Sequence, residues 1–283
     1  PWAVRELRRL VGEEVEAAAA AFARPAGLCL RTNVCATSPE TLRGTLEAAG
    51  HRPRVGSVDP SCLLLDGGDP AALPGYDEGW FAVQDQASSF VVRVLDPRPG
   101  ERVLDVCSAP GGKAIAAACL VGDDGLVVAA DVRPRRVALI RSQATRLGVR
   151  PLLVAQDATA PALRGGFDAV LVDVPCSGIG SARRRPELLW RRSKEGLSEL
   201  ARTQVRIAAE AARSLVPGGR MVYSACTFPR AETEAACDAI LRHAPSLEPL
   251  QTEGPDGVAT RHRLWPHRHG SDGMFVAAFR SST

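Results

Sequence analysis

The order of apolar runs and polar breaks along this chain predicts two regions of different build. Residues 2 to 24 are predicted as one helix, favoured by the alanine run Ala17 to Ala21. Leu28 to Thr32 reads as a strand. Ser38-Pro39-Glu40-Thr41 then supplies an N-cap with proline at the first helical position, and Gly50 closes that helix. Short strands follow near Arg54 and at Leu63 to Leu65, so residues 1–78 are expected to form a small α+β module that ends in a linker from Asp66 to Gly75. From Gly79 onward strands alternate with helices, which is the signature of βαβ units and a parallel sheet. The predicted strands are 102–107, 126–131, 152–155, 168–173 and 220–225. Helices are expected from about Gly111, Pro134 and Arg230, with a long one around 195–214 and a last strand from Met274 to Arg280. The expected fold class is α/β, with the parallel sheet in residues 79–283.

Composition narrows the picture only modestly. A chain of 283 residues, 45% hydrophobic and 24% charged, has enough apolar surface for one large core beside the small module. A net charge of +3 does not announce a polyanion partner. Lys113 and Lys194 are the only lysines, a bias towards arginine that genomic base composition explains as well as RNA binding does. Eight cysteines (29, 35, 62, 107, 119, 176, 226 and 237) lack CxxC spacing, which points to reduced thiols in a cytoplasmic protein and away from zinc. No apolar run reaches the roughly 20 residues of a membrane helix. The start at Pro1 suggests that an upstream part is missing.

The candidate chemistry lies at the predicted strand ends. Arg102 to Cys107 runs into Ser108-Ala109-Pro110-Gly111-Gly112, where two glycines let a ligand approach the backbone at the carboxyl end of a strand. This is neither GxxxxGK[ST] nor GxGxxG, so phosphate is not the obvious ligand. Asp131 ends the next strand, placed to accept from ribose hydroxyls, and Asp157 follows the third strand, within reach of an adenine edge. Taken singly, each aspartate is equally well a turn or cap residue. Together with the loop they fit S-adenosylmethionine.

Two further motifs, Asp173-Val-Pro-Cys176-Ser-Gly and Ser224-Ala-Cys226-Thr227, each place a cysteine past a strand. Cytosine C5 is a poor nucleophile, and methylating it requires prior addition of a nucleophile such as a thiolate to C6. A second group must then help the thiol to leave. Asp173 could hold N3 and N4 of the base. Cys107, Cys119 and Cys237 are expected to be inert core residues. Spacing leaves open which of Cys176 and Cys226 attacks.

Asp105 to Lys113, Asp173 to Gly180 and Tyr223 to Thr227 closely resemble the motifs of the Sun/Fmu (RsmB) family of RNA 5-methylcytosine methyltransferases. Leu30-Arg-Thr-Asn33, Val83-Gln-Asp-Gln86, Arg183-Arg-Arg-Pro186, Pro217-Gly-Gly219, Glu232-Thr-Glu234 and His269-Gly-Ser-Asp-Gly273 are supporting matches. The resemblance implies a class I Rossmann-like methyltransferase sheet with a small N-terminal α+β module. It implies Cys226 as nucleophile, Cys176 as the thiol assisting release, and Asp173 facing both base and cofactor. The S-adenosylmethionine pocket would use Cys107, Ser108, Ala109, Pro110, Gly111, Gly112 and Lys113 with Asp131, Arg136 and Asp157. Ser108, Ala114, Glu187 and Thr233 depart mildly from the family pattern.

RNA is the implied partner, most like small-subunit (16S) ribosomal RNA, with transfer RNA the runner-up. Contacts are expected from the N-terminal module and from Arg183, Arg184, Arg185, Arg191 and Arg192, with Trp190 available for stacking on a splayed-out base. His262, His267 and His269 lack companion ligands, so no metal is expected. Related bacterial chains carry an upstream NusB-like domain, which would account for the missing start. A monomer is expected. A DNA cytosine methyltransferase would carry a large target-recognition insert, and a non-catalytic assembly factor would lose the cysteines. These stand as the alternatives of other classes, although no such insert is found and both cysteines are present.

Overall fold

The computed structural model describes residues 2–163 and 165–282. The first predicted helix is two. α1 (Trp2–Val11) stops at Gly12, whose φ of +58° suits glycine, and α2 (Val15–Ala23) restarts after a single 3-10 turn. Leu7, Val11, Val15, Ala18 and Phe22 face inward and meet Ile179, Ala182, Phe228 and Trp265. The two helices therefore pack on the segments that carry the cysteine motifs.

The small sheet follows. β1 (Leu28–Thr32) leads to α3 (Pro39–Ala48), where Ser38 Oγ accepts from Thr41 N at 3.1 Å as its N-cap. β2 (Arg54–Val55), β3 (Cys62–Leu65) and β4 (Phe81–Val83) complete an antiparallel sheet of order β2-β3-β1-β4. Leu30, Leu42, Leu46, Leu63 and Phe81 form its core. β4 lies beyond the linker, so the small sheet draws in chain as far as Val83. Asn33 Nδ2 donates to the carbonyls of Gly79 and Leu147, at 2.8 and 2.9 Å, and joins this sheet to the larger one.

The remaining chain alternates. In order come α4 (Gln86–Leu95), β5 (Arg102–Asp105), α5 (Gly112–Val121), β6 (Leu126–Asp131), α6 (Pro134–Arg146), β7 (Leu152–Ala155) and β8 (Phe167–Asp173). Next are α7 (Leu188–Arg191), α8 (Lys194–Ala212), β9 (Leu215–Ala225) and α9 (Glu234–His243). The chain closes with β10 (Leu247–Pro249), β11 (Thr252–Gly254), β12 (Gly257–Ala259), β13 (Arg261–Leu264), α10 (Pro266–His269) and β14 (Met274–Ser281).

The main sheet runs β10-β14-β9-β8-β5-β6-β7, with β13 also on β14. β5 to β9 pair in parallel and β14 is antiparallel to β9. Strands Val103-Leu104 and Ala169 to Val172 are apolar on both faces because helices cover both, so two cores sandwich the sheet. The strand order reverses between β5 and β8. Their carboxyl ends therefore diverge around a crevice, the usual ligand site of such sheets.

One expectation is corrected here. Cys119, taken as an inert core thiol among eight reduced cysteines, is disulfide-bonded to Cys35, tying the turn after β1 to α5 across a sequence separation of 84. Denatured but unreduced protein should thus titrate six thiols rather than eight. Closing a loop of that length is worth up to about 4.5 kcal/mol in the chain-entropy account. Cys119→Ser should lower the unfolding midpoint in urea accordingly, and an unchanged midpoint with eight titrating thiols would refute the bridge.

Candidate active site

Three strand ends build the site. After β5 the loop turns at Gly111, with φ +110°, to start α5. A methyl group at Gly111 would meet Ile140 Cγ2 at 2.9 Å, so the close packing of this loop on α6 depends on glycine. A cavity of about 430 Å³ opens against the loop, with Asp105, Ser108, Pro110, Gly112, Lys113 and Asp173 along one side. Gln84, Asp85, Arg184, Arg185 and Asp272 line the other. A larger groove of about 700 Å³ between α8 and α9 is lined by residues such as Arg202, Ala235 and His243, and none of the proposed catalytic residues lines it.

Lys113 Nζ sits 2.6 Å from Asp173 Oδ2, while Asp173 Oδ1 accepts from Ser224 Oγ at 2.6 Å. Both carboxylate oxygens are thereby fixed. Burial pulls the Lys113 pKa down, but Asp173 outweighs it and the net shift is upward, so the ammonium stays charged. Asp105 is buried beside them. Burial first, and then repulsion from Asp173, pushes its pKa up to about 7. Asp105 Oδ2 and Ser108 Oγ are buried without a hydrogen-bond partner. Unsatisfied polar atoms bordering a cavity suit a ligand that brings donors and acceptors of its own.

Asp131, at the end of β6, faces Arg136 Nη1 at 3.3 Å and accepts from Arg133 N. Arg136 Nη2 in turn donates to Ala109 O at 2.6 Å, tying the first loop to the second strand end. Asp157 is exposed. Its carboxylate caps Thr159 N at 2.8 Å and Thr159 Oγ1 at 2.7 Å, the turn role weighed beside an adenine contact, and the backbone bond lowers its pKa first.

β8 and β9 deliver the cysteines. Asp173 and Ser224 are register partners, so both chains leave the sheet side by side. Cys176 Sγ and Cys226 Sγ lie 3.2 Å apart. Gly180 clamps the second loop: its N–H donates to Cys226 O at 3.0 Å, its carbonyl accepts from Gly273 N at 2.8 Å, and an added methyl would overlap Gly273 O.

The two thiols are unequal. The hydrogen bond from Cys176 lowers the pKa of Cys226, and Lys113 adds to the effect against burial. That same bond, with burial, raises Cys176 well above the ordinary thiol range. Cys107 and Cys237 are raised mainly by burial, Cys237 to about 12, which leaves them unreactive.

The arginines divide. Arg183 Nη1 is engaged by the carbonyls of Gly270 and Ser271. Arg184 bridges Asp85 and Asp272 at 2.9 and 3.1 Å. Arg192 donates to Ser177 O at 2.9 Å and its carbonyl receives Trp2 Nε1. Arg185 and Arg191 remain on the surface with Trp190, which is 85% exposed. The three histidines part company, His262 to Thr252, His267 to Glu14 and His269 to Asp256. Among the described residues no group of three or more His, Cys, Asp or Glu could hold a metal ion.

Gln84, Asp85, Asp105, Ser224, Glu232 and Asp272 also surround the site and had no assigned role from sequence. Most of them stand inside motifs already noted. Burial pushes the Asp272 pKa up to about 6, with the nearby Asp85 charge second.

Strand order, glycine loop and strand-end acids define a class I Rossmann-like methyltransferase sheet with a small N-terminal α+β module. The chain belongs to the 16S rRNA methyltransferase RsmB/F family, whose model matches residues 92–280. Residues 1–71 match the RsmF/B-like ferredoxin-like domain. It is 32% identical, over 99% of its length, to the probable ribosomal RNA small subunit methyltransferase B of Bacillus subtilis (strain 168), of which the match covers 65%. It is 36% identical to ribosomal RNA small subunit methyltransferase B of Xylella fastidiosa (strain 9a5c), covering 98% of this chain and 67% of that one. The chain thus spans about two thirds of the length of these relatives. A crystal structure of a methyltransferase homologue from Pyrococcus horikoshii superimposes with a TM-score of 0.85 at 28% identity, covering 98% of this chain and 93% of the other.

The raised Asp105 pKa has a consequence for stability. The folded state holds this proton more tightly than the unfolded chain, at about 7 against 3.8, so the contribution of Asp105 to stability is fullest below pH 3.8 and is lost as pH rises through 7. In the free protein Asp105→Asn should be near neutral at pH 4 and stabilising at pH 8, by up to roughly 4 kcal/mol by linkage. Thermal melts at the two pH values check this, and a mutant-minus-parent difference that does not change with pH would contradict it.

Proposed function

We propose that this chain methylates C5 of a cytidine in RNA, in small-subunit ribosomal RNA, with S-adenosylmethionine as methyl donor and a Cys226–C6 bond as intermediate. The observation that carries the reading is the 3.2 Å pair of unequal thiols beside the Lys113–Asp173 pair at the switch point of the sheet. Family membership and the names of the relatives support ribosomal RNA as the substrate class, which would place the reaction in the cytoplasm. No helix among the described residues is long and apolar enough to cross a membrane.

The unpartnered Asp105 Oδ2 and Ser108 Oγ support the fit of the donor, with Cys107 to Lys113 along its methionine end, Asp131 and Arg136 at the ribose, and Asp157 near the adenine. When bound, S-adenosylmethionine supplies an electrophilic methyl group on a sulfonium. The chain's own groups do the rest. Asp173, held by Lys113 and Ser224, presents a fixed carboxylate to the amino edge of the base. Cys226, favoured as thiolate, adds to C6, and the C5–C6 π electrons shift onto C5, in conjugation through C4 with N3, so that C5 becomes nucleophilic.

Once bonded to C6, Cys226 no longer accepts the Cys176 hydrogen bond, and Cys176 is free to act in release. The C5 proton passes to a base, the C5–C6 double bond re-forms and Cys226 leaves as thiolate. Arg185, Arg191 and Trp190 on the surface, with Arg183 and Arg184 beside them, are the candidate RNA contacts.

Cys226→Ala should abolish methyl transfer, whereas Cys176→Ala should accumulate a covalent RNA–protein adduct, visible on a denaturing gel with methyl-labelled donor. An adduct in Cys226→Ala instead would reverse the two roles. Because the Cys226 pKa is lowered, its thiolate is present above that pKa and is lost as pH falls through it. The rate of methyl transfer should therefore fall on the acid side. Lys113→Met should move that limb to higher pH, and a limb that stays in place would remove Lys113 from the activation of Cys226.

A further inference from the structure

The two cysteine loops share one wholly buried partner, Glu232, on the 3-10 turn between β9 and α9. Its Oε1 accepts from Ser177 N at 2.8 Å and from Gln204 Nε2 at 2.9 Å. Its Oε2 accepts from Ser177 Oγ at 2.5 Å and lies 3.3 Å from Thr227 Oγ1, and the two hydroxyls are themselves 2.6 Å apart. Ser177 follows Cys176 and Thr227 follows Cys226. Gln204 Nε2 also donates to Pro175 O at 3.0 Å, so the residue before Cys176 is tied into the same knot. Tyr223 OH closes it, donating to Glu232 O at 2.7 Å with Gln204 Oε1 at 3.1 Å.

A buried carboxylate satisfied only by neutral donors is costly, since burial disfavours charge and no ion pair among the described residues offsets it. Tight packing does not require one. An acceptor with two oxygens and several lone pairs is, however, the group that can gather donors from two chain segments onto a single point.

We propose that Glu232 is a positioning residue for the reaction: its carboxylate pins the loops after β8 and β9 through Ser177 and Thr227, and so sets the thiol separation at which Cys176 hydrogen-bonds Cys226. The role deepens the proposed function and rests on it only for the consequence in methyl transfer. It touches neither base nor donor. Removing the carboxylate lets the loops part, and the Cys226 thiolate then loses the hydrogen bond that favours it. Hydroxyls rotate, so a glutamine can keep Oε1 on Ser177 N–H and Gln204 while its amide donates to the two hydroxyl oxygens.

The test is the pH dependence of Cys226 alkylation by iodoacetamide in the full chain without RNA, read by peptide mass. Glu232→Ala should slow alkylation at pH 7 about tenfold, the effect of one pKa unit, and move the midpoint up towards that of Cys176→Ala. The double variant Cys176→Ala/Glu232→Ala should show no further slowing, because both changes remove the same interaction. Glu232→Gln should stay near the parent. An unshifted midpoint in folded Glu232→Ala, an additive loss in the double variant, or a Glu232→Gln as impaired as Glu232→Ala would overturn the role.

Should Glu232→Ala not fold, as judged by circular dichroism, Thr227→Val removes a single hydroxyl from the Cys226 side and should give a smaller shift in the same direction. No shift there would also overturn it. The expected alkylation shifts in a parent that methylates no RNA would sink the proposed function and leave this role standing. A methylating parent with unshifted variants would do the reverse.

Discussion

A hydrogen bond between two thiols, 3.2 Å apart at the carboxyl edge of a parallel sheet, is the interaction on which the site depends. It cannot form unless the loops that carry these cysteines, 50 residues apart in the chain, leave neighbouring strands at the same height. The β8–β9 register supplies that condition by setting Asp173 opposite Ser224. Parallel pairing sends both chains out of the same edge, and the reversal of strand order next to β8 opens the crevice they face. Sheet topology, register and the close approach at Gly180 thus converge on one pair of sulfur atoms.

That bond also divides the labour. Two thiols in contact lose their protons in two separate steps. The contact between them favours the thiolate on Cys226 and the proton on Cys176. Lys113 supports the charge on Cys226 and is itself held by Asp173, which Ser224 fixes from the next strand. Polar groups in a low-dielectric crevice polarise one another in this way only when each has its partners. Asp105 Oδ2 and Ser108 Oγ, the atoms there without a well-formed hydrogen bond, mark where a ligand would complete the set.

Much of this was legible in the residues. The parallel strands announce themselves as apolar runs because both faces are covered, and the strand-end motifs follow directly from them. What failed to show were features decided by distant partners. Gly12 looks like any glycine in a helical stretch until its φ splits α1 from α2. Cys35 and Cys119 carry no spacing signal for a bridge, being 84 residues apart. Arg183 and Arg184 read like their neighbour Arg185, yet the carbonyls of Gly270 and Ser271 engage Arg183, and Asp85 and Asp272 pair with Arg184, all distant along the chain. Glu232 stood in a recognised motif without a task, because its partners lie on loops that only the sheet brings together. Which thiol attacks was open by spacing, and the inequality of their surroundings speaks for Cys226.

The central claim is that Cys226 bonds to C6 of a cytidine in ribosomal RNA. Small-subunit ribosomal RNA carrying 5-fluorocytidine, which after methyl transfer has no C5 proton to give up, should stall the reaction at the covalent stage. Digestion and mass spectrometry of the stalled complex are expected to find a methylated fluorocytidine on the peptide that contains Cys226. The same mass on the Cys176 peptide, or no adduct on either with donor present, would contradict the account.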